Sequence, residues 1–255
     1  MVRSVADAVL IDGAITSGPT ELAPATLAGL RLGVARAPYY ENLDAALEKV
    51  IETELGRLRD LGVELVEFDA SDITELDQAA GFPIALFETV TTLTAYLNAS
   101  GTGFSLREVC EATASPDVNG LLMTLFGDNA VPEEIYRDAV DNKRPALQAT
   151  IASYFKKHDI AAFVLPTTPL PARPIGQDET VDLNGEKVPT FPAYIRNAGP
   201  ASVAGLPSLS LPIGFTKGGL PVGIQLDGAA GRDTDILAIG LAYEACLPSL
   251  SPPPS

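Results

Sequence analysis

A strand–helix–strand pattern within about forty residues constrains the fold of this chain more than any other feature. Arg31–Ala35 is a short apolar strand, and Val63–Phe68 is a second one. Between them, apolar residues from Leu43 to Leu58 recur at three- and four-residue steps, which is typical of an amphipathic helix. Two strands joined by one helix pair in parallel. The pattern therefore predicts an α/β fold.

Two further segments predict antiparallel hairpins. The apolar runs Ser208–Ile213 and Val222–Leu226 each follow a Leu-Pro pair and are joined through Thr216-Lys-Gly-Gly219. Asn184-Gly185 lies between alternating residues of segment 180–188, which is the strongest short hairpin signal in the chain. Antiparallel pairs beside a parallel unit predict a mixed central sheet flanked by helices.

The remaining apolar periodicity predicts several helices and one more buried strand. The helices are expected over 3–14, 74–114, 132–157 and 233–245, and the strand over 161–165. Pro83 is expected to break or kink the second helix, and Pro145 to kink or split the third. Residues 1–247 are predicted to form one partial domain, and the Pro/Ser-rich residues 248–255 a disordered tail.

Composition excludes several classes of partner. The formal charge is −16, with 17 basic against 33 acidic residues, so nucleic acid and anionic membranes are poor partners. No apolar run approaches the ~18 residues that crossing a bilayer needs, and a cytoplasmic location is expected by elimination. Cys110 and Cys246 are too few for a disulfide scaffold. Free buried thiols are expected, with a single disulfide as the alternative.

The residues alone predict no self-sufficient catalytic site. His158 is the only histidine, no G-x-S-x-G elbow accompanies it, and it is expected to help satisfy the end of a helix. Ser153 and Lys156 match S-x-x-K, but the companion motifs are missing, so an ordinary helix face is favoured. No clustered ligands or phosphate loop indicate a metal or a cofactor.

Several segments, in collinear order, resemble the amidase signature family of serine hydrolases, which cleave carboxamides. They are RSVAD (3–7), LRLGV (30–34), LPTTPLPA (165–172), AGLPSLSLP (204–212) and GLPVGIQ (219–225). Segment TFPAYIRN (190–197) resembles the indoleacetamide and mandelamide hydrolase branch, which acts on aryl-substituted amides. This chain departs from the family at one point: many members carry Asn near the position of Ser202 or Val203, and this chain does not.

The resemblance implies acyl transfer by a serine that a lysine activates through a second serine, with backbone N–H groups holding the oxyanion. In the family these groups lie in a Gly/Ser-rich segment of the N-terminal half, and this sequence has no such segment. No catalytic residue is therefore carried over. Thr167, Phe191 and Asn197 are expected to line the substrate pocket. Each also has a structural alternative: Thr167 ending a strand, Phe191 in the core and Asn197 capping a turn.

The sequence thus predicts the C-terminal half of an amidase-signature fold, inactive alone. Its partners are expected to be a small-molecule amide and a possible N-terminal half chain. Met1 suggests that an internal methionine of the family has become the first residue. The alternatives are a non-enzymatic fragment or interaction module, and a half chain similar to the amidotransferase A subunit.

Overall fold

A five-stranded mixed sheet forms the centre of the molecule. The computed structural model describes residues 1–248. Its strands are β1 (Arg31–Ala35), β2 (Glu64–Phe68), β3 (Ala162–Pro166), β4 (Thr180–Leu183), β5 (Glu186–Pro189), β6 (Ser208–Phe215) and β7 (Pro221–Gly228). The central sheet has the order β2-β1-β3-β7-β6, with β1 parallel to β2 and β3 and with β7 antiparallel to β3 and β6. The predicted mixed α/β sheet is confirmed.

Helices flank this sheet. They are α1 (Val5–Thr16), α2 (Arg36–Tyr39), α3 (Ala45–Asp60), α4 (Asp72–Ser100), α5 (Leu106–Glu111), α6 (Pro116–Met123), α7 (Glu133–Asp138), α8 (Arg144–His158), α9 (Thr190–Ile195), α10 (Gly199–Ala204) and α11 (Asp233–Cys246). The main core joins the sheet to α3, α8 and α11 through buried aliphatic side chains, among them Leu47, Ile51, Leu147, Ile151, Val164, Leu226, Ile236 and Ile239.

The strand–helix–strand unit forms as the sequence predicts. The Asp44 side chain accepts hydrogen bonds from the first backbone N–H groups of α3 and fixes where the helix begins. One face of α3 is buried, as its apolar spacing requires. β1 and β2 then pair in parallel with Leu32 opposite Leu65.

Both predicted hairpins are present. β6 and β7 pair along their length, with an irregularity between Pro212 and Gly214. At the other hairpin, Asn184 and Gly185 have φ angles of 55° and 90°, the left-handed pair that a tight type I′ turn requires. The Asn184 side chain also donates to the Leu43 carbonyl at 2.8 Å. This contact holds the hairpin against the end of the loop that precedes α3.

Proline acts differently in the two long helical segments. α4 continues through Pro83, so a break there is wrong, although the proline removes one helical hydrogen bond. In the later segment, a π-helical turn over Ala139–Lys143 separates α7 from α8, and Pro145 lies in the first turn of α8. The wider turn accommodates the missing proline N–H, and the chain stays helical from Glu133 to His158, so the helix is interrupted but not split, and the expected kink stays a prediction.

Cys110 and Cys246 are both free thiols, as expected. Cys110 is buried, but Cys246 is exposed at the end of α11, so its predicted burial is wrong. Among residues 1–248, no helix combines the length and apolar character needed to cross a membrane. The predicted disordered tail lies, from residue 249 onward, outside the described residues.

Candidate functional site

A cleft lies between α4 and the segment that carries α9 and α10. It consists of two adjoining cavities of about 240 and 340 Å³. The residues common to both cavities are Asp77, Gln78, Phe82, Ile195 and Gly199. The larger cavity is bounded mainly by apolar side chains, whereas Glu41 and Arg196 contribute to the smaller one. A concave, largely apolar site with few polar groups suits a small organic ligand.

Two glycines allow the walls of the cleft to approach each other. A Cβ atom added to Gly81 of α4 would lie 2.9 Å from Cγ2 of Val203 on α10. One added to Gly199 would lie 3.0 Å from Oδ2 of Asp77. Both separations are tighter than ordinary side-chain contacts, so α4 and α10 pack this closely because neither glycine carries a side chain.

Aromatic side chains form one wall of the larger cavity. The rings of Phe82 and Phe191 are 6.4 Å apart and meet edge to face at 64°. Phe191 belongs to the three residues that the family resemblance predicts for the pocket, and it lines this cavity. Its helix is held in place at Tyr194, whose hydroxyl donates to the Pro171 carbonyl at 2.9 Å.

Asn197 lies beneath the cleft and is fully buried, with 0% exposure. Its side-chain N–H₂ donates to the carbonyl of Pro166 at 2.7 Å and to that of Tyr39 at 3.1 Å. Arg196 in turn donates to its amide oxygen at 3.2 Å. Asn197 therefore ties the loop between α9 and α10 to the end of β3 and to α2, and it lines neither cavity of the cleft.

Thr167 directly follows β3 and also lies outside the two cavities. Its hydroxyl is 2.7 Å from the hydroxyl of Ser210, and its backbone N–H donates to Gly223 at 3.2 Å. A Cβ atom on Gly223 would lie 2.9 Å from the Thr167 hydroxyl, so that glycine makes room for the hydroxyl pair. Of the three predicted pocket residues, Phe191 therefore lies in the cleft, Asn197 lies beneath it, and Thr167 lies outside it at the C-terminal end of β3.

Sequence reasoning missed Asp77, which lies in the second turn of α4. Burial raises the pKa of this carboxyl to about 6. Its Oδ1 atom is buried and has no hydrogen-bond partner within the described part of the chain. The sequence did contain a signal for this residue: Asp77 and Gln78 border the apolar face of a helix, and Gly81 follows Asp77 four residues later on the same face.

A second buried carboxylate, Asp227, belongs to the sheet rather than to the cleft. It is 3% exposed and accepts hydrogen bonds from Ser208 at 2.6 Å and from Gln225 at 2.8 Å. Burial raises its pKa to about 6, and these two hydrogen bonds oppose that increase. Because its hydrogen bonds come from neighbouring strand residues, Asp227 stabilises the pairing of β6 with β7.

The histidine and the metal-ligating residues do not form a site in the described structure. His158 ends α8 and stacks on Phe68, with ring centroids 4.1 Å apart. Arg31, rather than the imidazole, donates to the free carbonyls of His158 and Asp159. Within residues 1–248, no group of three potential metal ligands is brought together.

The chain matches one protein-family model and is similar in sequence to known amide hydrolases. The family model described as Amidase matches residues 14–237. The chain is 39% identical to an indoleacetamide hydrolase of Agrobacterium vitis over 247 residues, which is 97% of this chain and 53% of that protein. It is 36% identical to a mandelamide hydrolase of Pseudomonas putida over 260 residues, covering 97% of this chain and 49% of the relative.

Solved structures show the same fold. A crystal structure described as an amidase superimposes with a TM-score of 0.78 at 28% identity, covering 97% of this chain and 52% of that one. The peptide amidase from Stenotrophomonas maltophilia superimposes with a TM-score of 0.70 at 23% identity, covering 96% and 52%. The chain therefore spans about half the length of the relatives that it matches.

Proposed function

The chain belongs to the amidase family, and on this premise we propose that it is the C-terminal portion of a hydrolase acting on aryl-substituted carboxamides. The observation that carries the proposal is the apolar cleft with its paired aromatic rings, Phe82 and Phe191. The similarity to indoleacetamide and mandelamide hydrolases, whose names describe amides with aryl groups, supports the same substrate class.

In this proposal the chain binds the acyl group and a separate segment performs the chemistry. The sequence lacks a Gly/Ser-rich segment of the kind that carries the serines and the lysine in the family. Phe191 contacts the aryl group, and Asn197 positions the pocket loop through its two buried hydrogen bonds. Thr167 lies outside the two cavities, so in this proposal it faces the part of the substrate that extends beyond the cleft, from the end of β3, where its hydroxyl is paired with that of Ser210.

The side chains of Ser202 and Val203 affect the polarity of the acyl group that the cavity can bind. Both residues line the larger cavity, where many family members carry an asparagine nearby. A small hydroxyl and a branched aliphatic group leave this wall more apolar than an amide would. This composition favours a flat apolar ring over a polar acyl group.

The partner proposed here is the polypeptide segment that completes the relatives' length. β6 is hydrogen-bonded to β7 on one side only and forms an edge of the described sheet. The α1 helix also exposes several large apolar side chains, which are Leu10, Ile11 and Ile15. An unpaired strand edge and exposed apolar groups are features that a protein partner commonly covers.

A complementation experiment tests the proposal. The chain is purified alone and together with the part of the Agrobacterium vitis indoleacetamide hydrolase that this chain does not match. Ammonia release from phenylacetamide and indole-3-acetamide is measured for each preparation. Hydrolysis by the pair and none by either part is the expected result. Hydrolysis by the isolated chain would contradict the claim that its chemistry lies elsewhere, and an inactive, well-folded pair would favour an interaction module.

A further inference from the structure

The Asp77 carboxyl differs from the other buried acidic groups of this molecule in lacking an internal partner for one of its oxygens. Glu54 accepts a hydrogen bond from the Tyr243 hydroxyl at 2.6 Å, and Asp227 accepts from Ser208 and Gln225. Oδ1 of Asp77 is equally enclosed, yet no donor among the described residues reaches it. A buried acceptor without a donor is costly, so an external donor is expected to satisfy it.

The position of Asp77 restricts that donor to something that enters the cleft. The residue lines both cavities, between the aromatic wall and the small residues that begin α10. Gly199 and Gly81 border its two oxygens, with added Cβ atoms 3.0 Å from Oδ2 and 3.7 Å from Oδ1, respectively. Oδ1 itself is enclosed, but Asp77 lines both cavities, and rotation about its broad χ2 torsion exchanges the two oxygens and turns one of them toward a ligand in the cleft.

The surroundings favour a neutral donor on an aromatic ring. Phe82, Phe191 and Val203 present apolar surface beside the carboxyl, and the larger cavity of about 340 Å³ accommodates a bicyclic ring. Stripping water from an ammonium group in such surroundings is costly. A ring N–H loses much less hydration, and its ring gains edge and face contacts with the two phenylalanines.

We propose that the Asp77 carboxyl accepts a hydrogen bond from the ring N–H of the substrate's aryl group, and so selects indole-type amides over N-alkylated ones. This inference rests on the proposed function, because it places the aryl group in the same cleft. Asp77 is then a specificity-determining residue. The amide that is cleaved lies at the other end of the substrate, where the completing segment supplies the chemistry.

Ligand binding tests this inference without any turnover. The chain contains no tryptophan, so the fluorescence of indole-3-acetamide, excited beyond the tyrosine band, reports binding to the chain alone. We expect 1-methylindole-3-acetamide to bind about tenfold more weakly, because it cannot donate and leaves the carboxyl unpaired. Titration calorimetry repeats the comparison on the chain joined by its completing segment.

Substitutions assign the preference to one side chain. Asp77→Leu is expected to bind both indoles within about twofold of each other, and Asp77→Asn, which keeps an acceptor oxygen, to show an intermediate preference. Glu75→Leu removes the same negative charge from the same helix, at an exposed position that lines neither cavity, and should keep the tenfold preference. Circular dichroism verifies the fold of each variant.

The outcomes separate this inference from the proposed function. Equal binding of the two indoles by the wild-type chain, or a preference that survives in Asp77→Leu, overturns the role of Asp77. Failure of both the isolated and the completed chain to bind either indole overturns it as well. Binding with the N–H preference but no hydrolysis by the completed chain would refute the proposed hydrolase while leaving the role of Asp77 intact.

Discussion

Replacing Asn197 gives the sharpest test of how the cleft is held in position. Its side chain donates to two carbonyl groups, at 2.7 and 3.1 Å, and is 0% exposed. Asn197→Ala removes both donors and leaves two enclosed carbonyls to be satisfied by water or not at all. With about 1–1.5 kcal/mol for each lost bond and a further contribution from unpaired carbonyls, the free energy of unfolding should fall by about 3 kcal/mol.

Urea unfolding followed by circular dichroism measures this change, and for a chain of this size it corresponds to a decrease in Tm of roughly 6–12 °C. Asn142→Ala is the matched control, because Asn142 is exposed and donates only to the neighbouring Asp138 side chain. It should change stability by less than about 0.5 kcal/mol. A loss below about 1 kcal/mol in Asn197→Ala would refute the view that Asn197 anchors the loop.

Three further substitutions and one control, Gly56→Ala, test packing and charge in the sheet and in the helices packed on it, each by urea unfolding of the purified chain. Because burial raises the pKa of Asp227 to about 6 from an ordinary 3.8, the folded chain binds more protons than the unfolded chain between these values, and stability falls as pH rises from about 4 to 6. Asp227→Asn should remove up to about 2–3 kcal/mol of this decline. If the free energy of unfolding of the variant depended on pH as steeply as that of the wild-type chain, the raised pKa of Asp227 would be contradicted. Gly223→Ala should cost about 1–3 kcal/mol, because its Cβ would displace the adjacent hydroxyl groups of Thr167 and Ser210. Gly56→Ala is the control: an added Cβ there meets nothing within 4 Å, so it should stabilise helix α3 by about 0.5–1 kcal/mol. Equal effects of the two substitutions would contradict the steric account. Tyr243→Phe should cost about 2 kcal/mol because it removes the 2.6 Å bond to buried Glu54, and no loss would mean that Glu54 is satisfied otherwise.

Local chemistry made the strands and hairpins predictable. Asn184 and Gly185 tolerate the left-handed backbone that a tight turn requires, so the turn follows from two adjacent residues. The apolar spacing between Leu43 and Leu58 likewise fixes the buried face of α3. At Pro83, in contrast, the predicted break does not occur, because packing of α4 against α8 and α10 holds the helix together despite the lost hydrogen bond.

The candidate site was less predictable because it depends on contacts between distant segments. Asp77 becomes a buried acceptor only when Gly199 brings the start of α10 against α4, and no pattern within α4 encodes that approach. Asn197 was predicted from its motif to line the pocket, but it lines neither cavity, and its burial depends on carbonyls contributed by Tyr39 and Pro166. Phe191 is the predicted residue whose position in the cleft follows most directly from its segment.

The central claim is that this chain supplies the acyl pocket and that a separate segment supplies the catalytic groups. Its most direct test titrates the completing segment into a fixed concentration of the chain while ammonia release from indole-3-acetamide is recorded. The account predicts no hydrolysis at the start and a rate that saturates near one completing segment per chain. Hydrolysis by the chain before any segment is added would contradict it.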